Sequence, residues 1–300
     1  MAWNLNTAFY DMAADQKRVF AAADFHVPFE ISRAPSGRNA QIRNFKSELC
    51  AAVKMLRPQE GEVLFGQYAE DGEKKRRYDL ENMLFYNLGA SSFSECAIYG
   101  ISFSTLPDKA ALCRKNGIKN RKCVYYYQCL PLSAAESNFA HLPLMARWRN
   151  VPLDRREAGS PAKYWKAIRS AGDRVTVLDH MASPALGGFA LKIALCLPAQ
   201  VKTVNMIKSL LDGVVCAFHD EDARCLDCLT EFCRRQHCEE LSVPRRFPAV
   251  LGERAFIRPY RNGRSFIWDP ADDLCELALV TVSYGTETPL FSGEIYRLQK

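Results

Sequence analysis

Lys202-Thr203-Val204-Asn205-Met206-Ile207-Lys208-Ser209-Leu210-Leu211-Asp212-Gly213 leads through Val214-Val215-Cys216-Ala217-Phe218 into His219-Asp220-Glu221-Asp222. Ile207, Leu210, Leu211 and Val214 recur at i, i+3, i+4 and i+7, so the stretch reads as a helix with one packed face. Asn205, Lys208 and Asp212 fall at i, i+3 and i+7 and form a polar line along another side. Such a line is ordinarily a solvated face. Here it runs into an acidic cluster. A second stretch, Arg76-Arg77-Tyr78-Asp79-Leu80-Glu81-Asn82-Met83-Leu84, reads as its partial copy.

Outward from these two stretches the chain alternates helical and strand-like patterns, which predicts an α+β fold. Residues 1–24 read as a lead-in with an alanine-rich amphipathic helix from Thr7 to Ala23. Phe25–Ile31 alternates as a strand. Ala40–Leu56 has helical period, with Ile42, Phe45, Leu49, Val53 and Leu56 on one side, and Arg57-Pro58 ends it. Glu62–Tyr68, Ala97–Phe103 and Cys123–Leu130 read as strands, with the Asp79–Asn82 helix between the first two. Leu144–Val151 is a basic strand. A helix opens at Pro161, with proline in its first turn. Phe189–Leu195 is the strand before the Asn205–Asp212 helix. Asp222–Leu241 is helical and cysteine-rich, and Ala255–Pro259, Ser265–Trp268, Leu274–Ser283 and Gly293–Leu298 read as strands.

The order helix, strand, loop, helix occurs twice, with Phe45-Lys46 answering Trp165-Lys166 and Asn82 answering Asn205. The chain is therefore expected to hold two similar lobes, residues 25–135 and 139–300, each a small mixed or antiparallel sheet backed by helices. The boundary is expected at the small polar residues Ser133–Asn138.

The pattern Asn-x-x-Lys-x-x-x-Asp-Gly, with an acidic pair a few residues on, resembles the core of the RusA-type Holliday-junction resolvases. In that family an Asp-x-Asp motif precedes it. The second stretch keeps Asn205, Lys208, Asp212 and the Asp220/Asp222 pair but has Lys202 and Val204 where the acids belong. The first keeps the acids as Asp79 and Glu81, with Asn82, but has Phe85 at the lysine position. Each copy holds half of the family's site. The resemblance implies metal-dependent cleavage of branched or structured DNA, with Asp79, Glu81, Asp220 and Asp222 as Mg²⁺ ligands and Lys208 stabilising developing charge. Asn82, Asn205 and Asp212 are then structural polar residues. The chemistry is coherent. Mg²⁺ takes carboxylate oxygens while keeping several waters, it polarises the phosphoryl group and activates a bound water, and a lysine beside it offsets charge in the transition state. The alternative implied by the split motif is a catalytically degenerate relative that binds nucleic acid or a protein partner.

Composition sets the frame. The 300 residues are 48% hydrophobic and 25% charged, as in ordinary globular chains. No apolar run approaches the roughly 18 residues of a membrane span, which argues against a membrane role. The N-terminus lacks a basic region followed by an apolar stretch, so a cytoplasmic location is expected. Twelve scattered cysteines fit a reducing compartment, where they serve as small buried apolar residues. Cys225, Cys228, Cys233, Cys238 and His237 invite a zinc reading, but spacings of three, five and five residues do not make zinc knuckles. On a helix these cysteines and Phe232 read instead as a core stripe. His219 reads as a metal ligand or base, or as a capping residue at a helix end.

The net charge of +6 permits an anionic partner without demanding one. Basic clusters at Lys74, Lys75, Arg76 and Arg77, at Arg114, Lys115, Lys119, Arg121 and Lys122 before three tyrosines, and at Arg254, Arg258, Arg261 and Arg264 among Phe256, Tyr260 and Phe266 point to nucleic acid. Arginines hold phosphates and aromatic rings stack bases on such surfaces. A cysteine-rich interaction subunit with no nucleic-acid role is the reading from a third class.

Overall fold

The computed structural model of the chain describes residues 3–28, 30–31, 37–71, 79–154, 160–178, 188–199, 203–221, 223–241, 248–260 and 265–298. In chain order the strands are β1 (Trp3–Asn6), β2 (Tyr10–Ala14), β3 (Arg18–Ala23), β4 (Glu62–Glu70), β5 (Gly100–Thr105), β6 (Cys123–Pro131), β7 (Leu144–Pro152), β8 (Val175–Val177), β9 (Phe189–Leu197), β10 (Asp220–Glu221), β11 (Glu253–Arg254), β12 (Ile257–Pro259), β13 (Phe266–Trp268), β14 (Cys275–Tyr284) and β15 (Leu290–Arg297). The α-helices are α1 (Gly37–Val53), α2 (Lys109–Lys115), α3 (Leu132–Ser137), α4 (Pro161–Arg169), α5 (Thr203–Ala217) and α6 (Ala223–Arg235). The fold is mixed α/β.

Two compact units share the chain. Unit 1 is Met1–Ala140 with Val201–Asn205 and Glu276–Val282; unit 2 is His141–Gln200, Met206–Cys275 and Ser283–Lys300. The residues expected to form the boundary, Ser133–Asn138, lie largely in α3, and unit 1 continues to Ala140.

In unit 1 the strands run β1-β2-β3-β6-β4-β5-β14. All neighbours are antiparallel except β4 and β5, which are parallel. The helix expected over Thr7–Ala23 is instead the hairpin β2–β3. Turn chemistry explains it: Asp15 Oδ1 accepts from the N–H groups of Lys17 at 2.8 Å and Arg18 at 2.9 Å, fixing the reversal. Val19–Ala23 is buried throughout because the sheet is covered on both faces there. On one face Phe45 of α1 packs against Tyr10 and Tyr125, with ring centroids 5.2 and 5.7 Å apart. On the other, Cys113 of α2 meets Phe20, Ala22 and Val124. The expected strand at Phe25–Ile31 does not form among its described residues; Val27 N–H donates to the buried Tyr125 hydroxyl at 3.0 Å.

In unit 2 four strands run β9-β15-β7-β8, all antiparallel, and two short pairs stand apart, β10–β11 parallel and β12–β13 antiparallel. Trp148 of β7, 0% exposed, packs on Phe218 and Phe291, and Tyr164 of α4 meets Phe291 at 6.0 Å. Helix α5 approaches α4 so closely that a Cβ on Gly213 would sit 2.3 Å from the Pro161 carbonyl oxygen. The strand orders of the two units differ: the sheet strands of unit 1 include the parallel pair β4–β5, whereas β9-β15-β7-β8 are antiparallel throughout.

Candidate functional site

In unit 1 the chain enters the Asp79–Asn82 stretch through a short helical turn and passes into a π-helical turn at Asn82–Tyr86. Turns of this kind are rare and concentrate at functional sites. Met83, Leu84 and Phe85 bury the apolar side of the turn, and the Leu84 carbonyl accepts from the buried Tyr127 hydroxyl at 2.6 Å. That anchoring leaves Asp79 and Glu81 on the other side. A carboxylate oxygen of each lies within 4.8 Å of the other, and Glu81 is 1% exposed. Asn82 Nδ2 donates to Asp79 Oδ2 at 2.6 Å and orients that carboxylate. The two acids of the expected motif therefore come together, and oxygen donors so placed suit a hard divalent cation. Phe85, which stands where the family has lysine, is in the core.

In unit 2 the polar line of α5 does form. Lys208 Nζ lies 3.4 Å from Asp212 Oδ1 one turn on, and 3.2 Å from Asp272 Oδ2. Both carboxylates are buried. Burial pushes the Asp212 carboxyl up to about 7; Lys208 pulls it down and neighbouring Asp272 pushes it up. A like charge beside a buried carboxylate favours its protonated form. Asp212 is thus more than a spacer. Asp272, which completes the group, was not anticipated from the sequence; the signal was the acid-rich loop Asp269-Pro270-Ala271-Asp272-Asp273 before the most apolar strand. Asn205, expected as structural, is exposed.

Asp220 is exposed in β10, where its N–H donates to the Gly252 carbonyl at 2.9 Å. Asp222 lies outside the described residues. The expected four-acid site is not assembled within either unit. His219 is neither surface residue nor ligand in this arrangement. It is 1% exposed, with Nδ1 3.0 Å from the Gly252 carbonyl and Nε2 accepting from Ala271 N–H at 3.3 Å. Those partners assign the neutral tautomer protonated at Nδ1. The imidazole ties the chain after α5 to the Asp272 loop.

The basic clusters divide sharply. Lys74, Lys75, Arg76 and Arg77 lie outside the described residues, as do Arg261 and Arg264. Arg114 and Lys115 are exposed in the last turn of α2, where cations complement the helix dipole, and Lys119 is exposed beyond it. Lys122 is exposed but engages Glu70 at 2.9 Å, which raises its pKa. Arg121 is a correction: it is 5% exposed and cannot reach a phosphate. Its guanidinium donates to Asp11 at 2.7 and 3.3 Å, to Asp24 at 2.6 Å, and to the Thr7 and Ala8 carbonyls at 2.8 and 3.1 Å. The tyrosines beside it are a second correction. Tyr125 and Tyr127 are 0% exposed and build the core, so neither stacks on a base. Among the third cluster, Phe256 is buried and Arg254 donates to the Asp269 carbonyl at 2.9 Å, while Tyr260 is exposed.

The cysteine-rich helix ends at Arg235, short of the expected Leu241; Cys225 and Cys233 within it and Cys238 beyond it are buried. Burial pushes the Cys233 thiol up to about 12 and raises Cys238, so neither is poised as a thiolate. Phe232 from the same helix packs edge-on against Trp165 at 5.8 Å, which makes this face a core stripe.

No family model matches the chain, and no curated protein matches it.

Proposed function

We propose that the chain is a nucleic-acid-binding protein whose Asp79–Glu81 pair takes a magnesium ion and supports structure-selective cleavage of DNA. One observation carries the reading: two acids from the resolvase-like motif, one of them 1% exposed, present carboxylate oxygens within 4.8 Å of each other at a π-helical turn. Glu81 is buried and Asp79 half-buried, and a buried carboxylate beside a second acid is costly unless its charge is offset. Bound there, magnesium would polarise a phosphoryl oxygen and lower the pKa of a water. The chain's own part is orientation, with Asn82 fixing Asp79 and the Leu84–Phe85 side of the turn fixing Glu81. The kinship to a doubled resolvase belongs to this proposal. It rests on the α5 pattern and the Asp79–Asn82 stretch, not on likeness of the two strand orders.

A second reading, a fold that binds nucleic acid without cleaving it, is favoured by Lys208. Its ammonium faces Asp212 and Asp272, so its charge is already offset within unit 2.

The test is incubation of labelled four-way junction, duplex and single strand with and without Mg²⁺. Cleavage is expected with Mg²⁺, and Asp79→Asn and Glu81→Gln are each expected to lower its rate at least 100-fold while binding persists. Binding without cleavage selects the second reading. Absence of binding even at low salt, where phosphate contacts are strongest, refutes both and leaves an interaction subunit.

A further inference from the structure

The sheet of unit 2 has a second face. Its helix-covered side buries Trp148 and Phe291, whereas the other side is open to solvent. Strands β7 and β15 pair up to Trp148–Gly293 and resume at Val151–Phe291, so Arg149 and Asn150 together oppose Ser292. This is a β-bulge, a device that re-aims side chains. Asn150 takes φ 49°, a left-handed value that asparagine tolerates. Its N–H donates to Ser292 Oγ at 2.9 Å, and its carbonyl accepts from Arg174 at 2.6 Å.

The bulge resets the alternation of β7. Trp148 and Val151 both point into the core, at 0% and 1% exposure, and Arg149 and Asn150 are both exposed. Arg149, two residues after Arg147, shares its open face by ordinary alternation, and the bulge adds Asn150 to the exposed side while returning Val151 to the core. Glu294 of β15 pairs across the sheet with Arg147 on one side and Lys192 of β9 on the other. Arg147, Arg149, Lys192, Ser292 and Glu294 line an open cavity of about 140 Å³. Three cations surround one carboxylate. Among the described residues, neither the Arg147 nor the Arg149 side chain makes a hydrogen bond or ion pair.

We propose that this face of unit 2 grips the phosphate backbone of a nucleic-acid strand, with Arg147 and Arg149 on one phosphate and Lys192 on a neighbouring one. The inference rests on the nucleic-acid reading above and goes beyond it by naming the surface. A guanidinium presents parallel N–H donors that match phosphate oxygens, and two of them two residues apart on one strand form a rigid clamp. The aromatic residue in the lining, Trp148, is 0% exposed, so the face tracks phosphates and does not stack bases. An excess of cations selects a polyanion, and Glu294 between Arg147 and Lys192 keeps the two grips apart by repelling a phosphate placed on it.

The test is fluorescence anisotropy of a labelled single-stranded oligonucleotide across a salt series, comparing the full chain with Arg147→Ala/Arg149→Ala. Both side chains reach solvent, and circular dichroism checks that the variant folds. The double variant is expected to bind at least tenfold more weakly. The slope of log affinity against log salt is expected to fall by about 0.7, since the two arginines share one phosphate and each phosphate contact contributes about 0.7 on a single strand. Arg147→Lys/Arg149→Lys should keep the slope. Unchanged affinity and slope in the alanine variant overturn this inference and leave the nucleic-acid reading standing. Equal displacement of the oligonucleotide by polyglutamate also overturns it, by assigning the face to acidic protein. No binding by the unaltered chain overturns both.

Discussion

Replacing Arg121 with methionine should destabilise unit 1 by about 3–5 kcal/mol, the usual result of removing one partner of a buried ion pair. The guanidinium has five N–H donors, and its contacts with Asp11, Asp24, Thr7 and Ala8 use every one of them. The loss is set mainly by Asp11, whose side chain is 7% exposed and would be left as a buried charge. Asp24, with its side chain 49% exposed, falls back on water and adds little. For a unit of this size the melting temperature should drop by roughly 6–20 °C, at ~2–4 °C per kcal/mol. Urea unfolding of the whole chain, followed by tryptophan fluorescence and by far-ultraviolet circular dichroism, reads the change. Removing the stranded acid as well, in Arg121→Met/Asp11→Leu, should recover at least half of it, because an apolar pair of similar volume replaces a buried ion pair at little cost. Under native conditions Arg121→Met should bind any oligonucleotide as the parent does. An unfolding midpoint equal to the parent's, or a selective loss of oligonucleotide affinity, would refute the structural role and return Arg121 to the surface cluster.

Two further outcomes follow from unit 2. Burial holds the Asp212 carboxyl at about 7 against an ordinary 3.8, so between those values the folded chain keeps a proton that the unfolded chain has released. Stability contributed by this group is full below the window and is lost as pH rises through it, by up to roughly 4 kcal/mol. Asp212→Asn should flatten that dependence, measured as urea midpoints at either end of the window; an equal slope in the variant would exclude Asp212 as its source. Gly213→Ala should cost about 3 kcal/mol or more, because the added Cβ would meet the Pro161 carbonyl oxygen at 2.3 Å and Tyr164 Cβ at 2.9 Å. Helix propensity alone predicts the opposite sign, a gain of ~1 kcal/mol, so a stabilised variant in thermal melts would contradict the α4–α5 contact.

What the sequence revealed tracks how local the cause was. Helix α5 was readable because its apolar face repeats at helical period and needs no distant partner to be recognised. The hairpin β2–β3 was misread as a helix because Ala21-Ala22-Ala23 has high helix propensity and no alternation. The absence of alternation reflects burial on two faces, which only the folded sheet reveals. Arg121 looked like its neighbours Lys119 and Lys122 because the acids that claim it, Asp11 and Asp24, lie about a hundred residues earlier in the chain. At the candidate site the pairing of Asp79 with Glu81 followed from two-residue spacing, whereas the partnership of Lys208 with Asp272 spans 64 residues and had no local signature. The bulge that turns Asn150 outward and Val151 into the core was equally silent, since it depends on the register of β15.

Unit 1 draws one of its strands from late in the chain. Residues Leu277–Thr281 of β14 pair with Gly100–Ser104 of β5, the only described segment on that side of β5. During synthesis the first 140 residues emerge with that edge bare, its amides and carbonyls available to any extended peptide nearby. The polypeptide must be made almost to its last strand before the edge is closed. A nascent chain of this protein therefore carries an open sheet edge while the residues between Ala140 and Glu276 are being made, and shortening it after residue 140 leaves that edge permanently exposed.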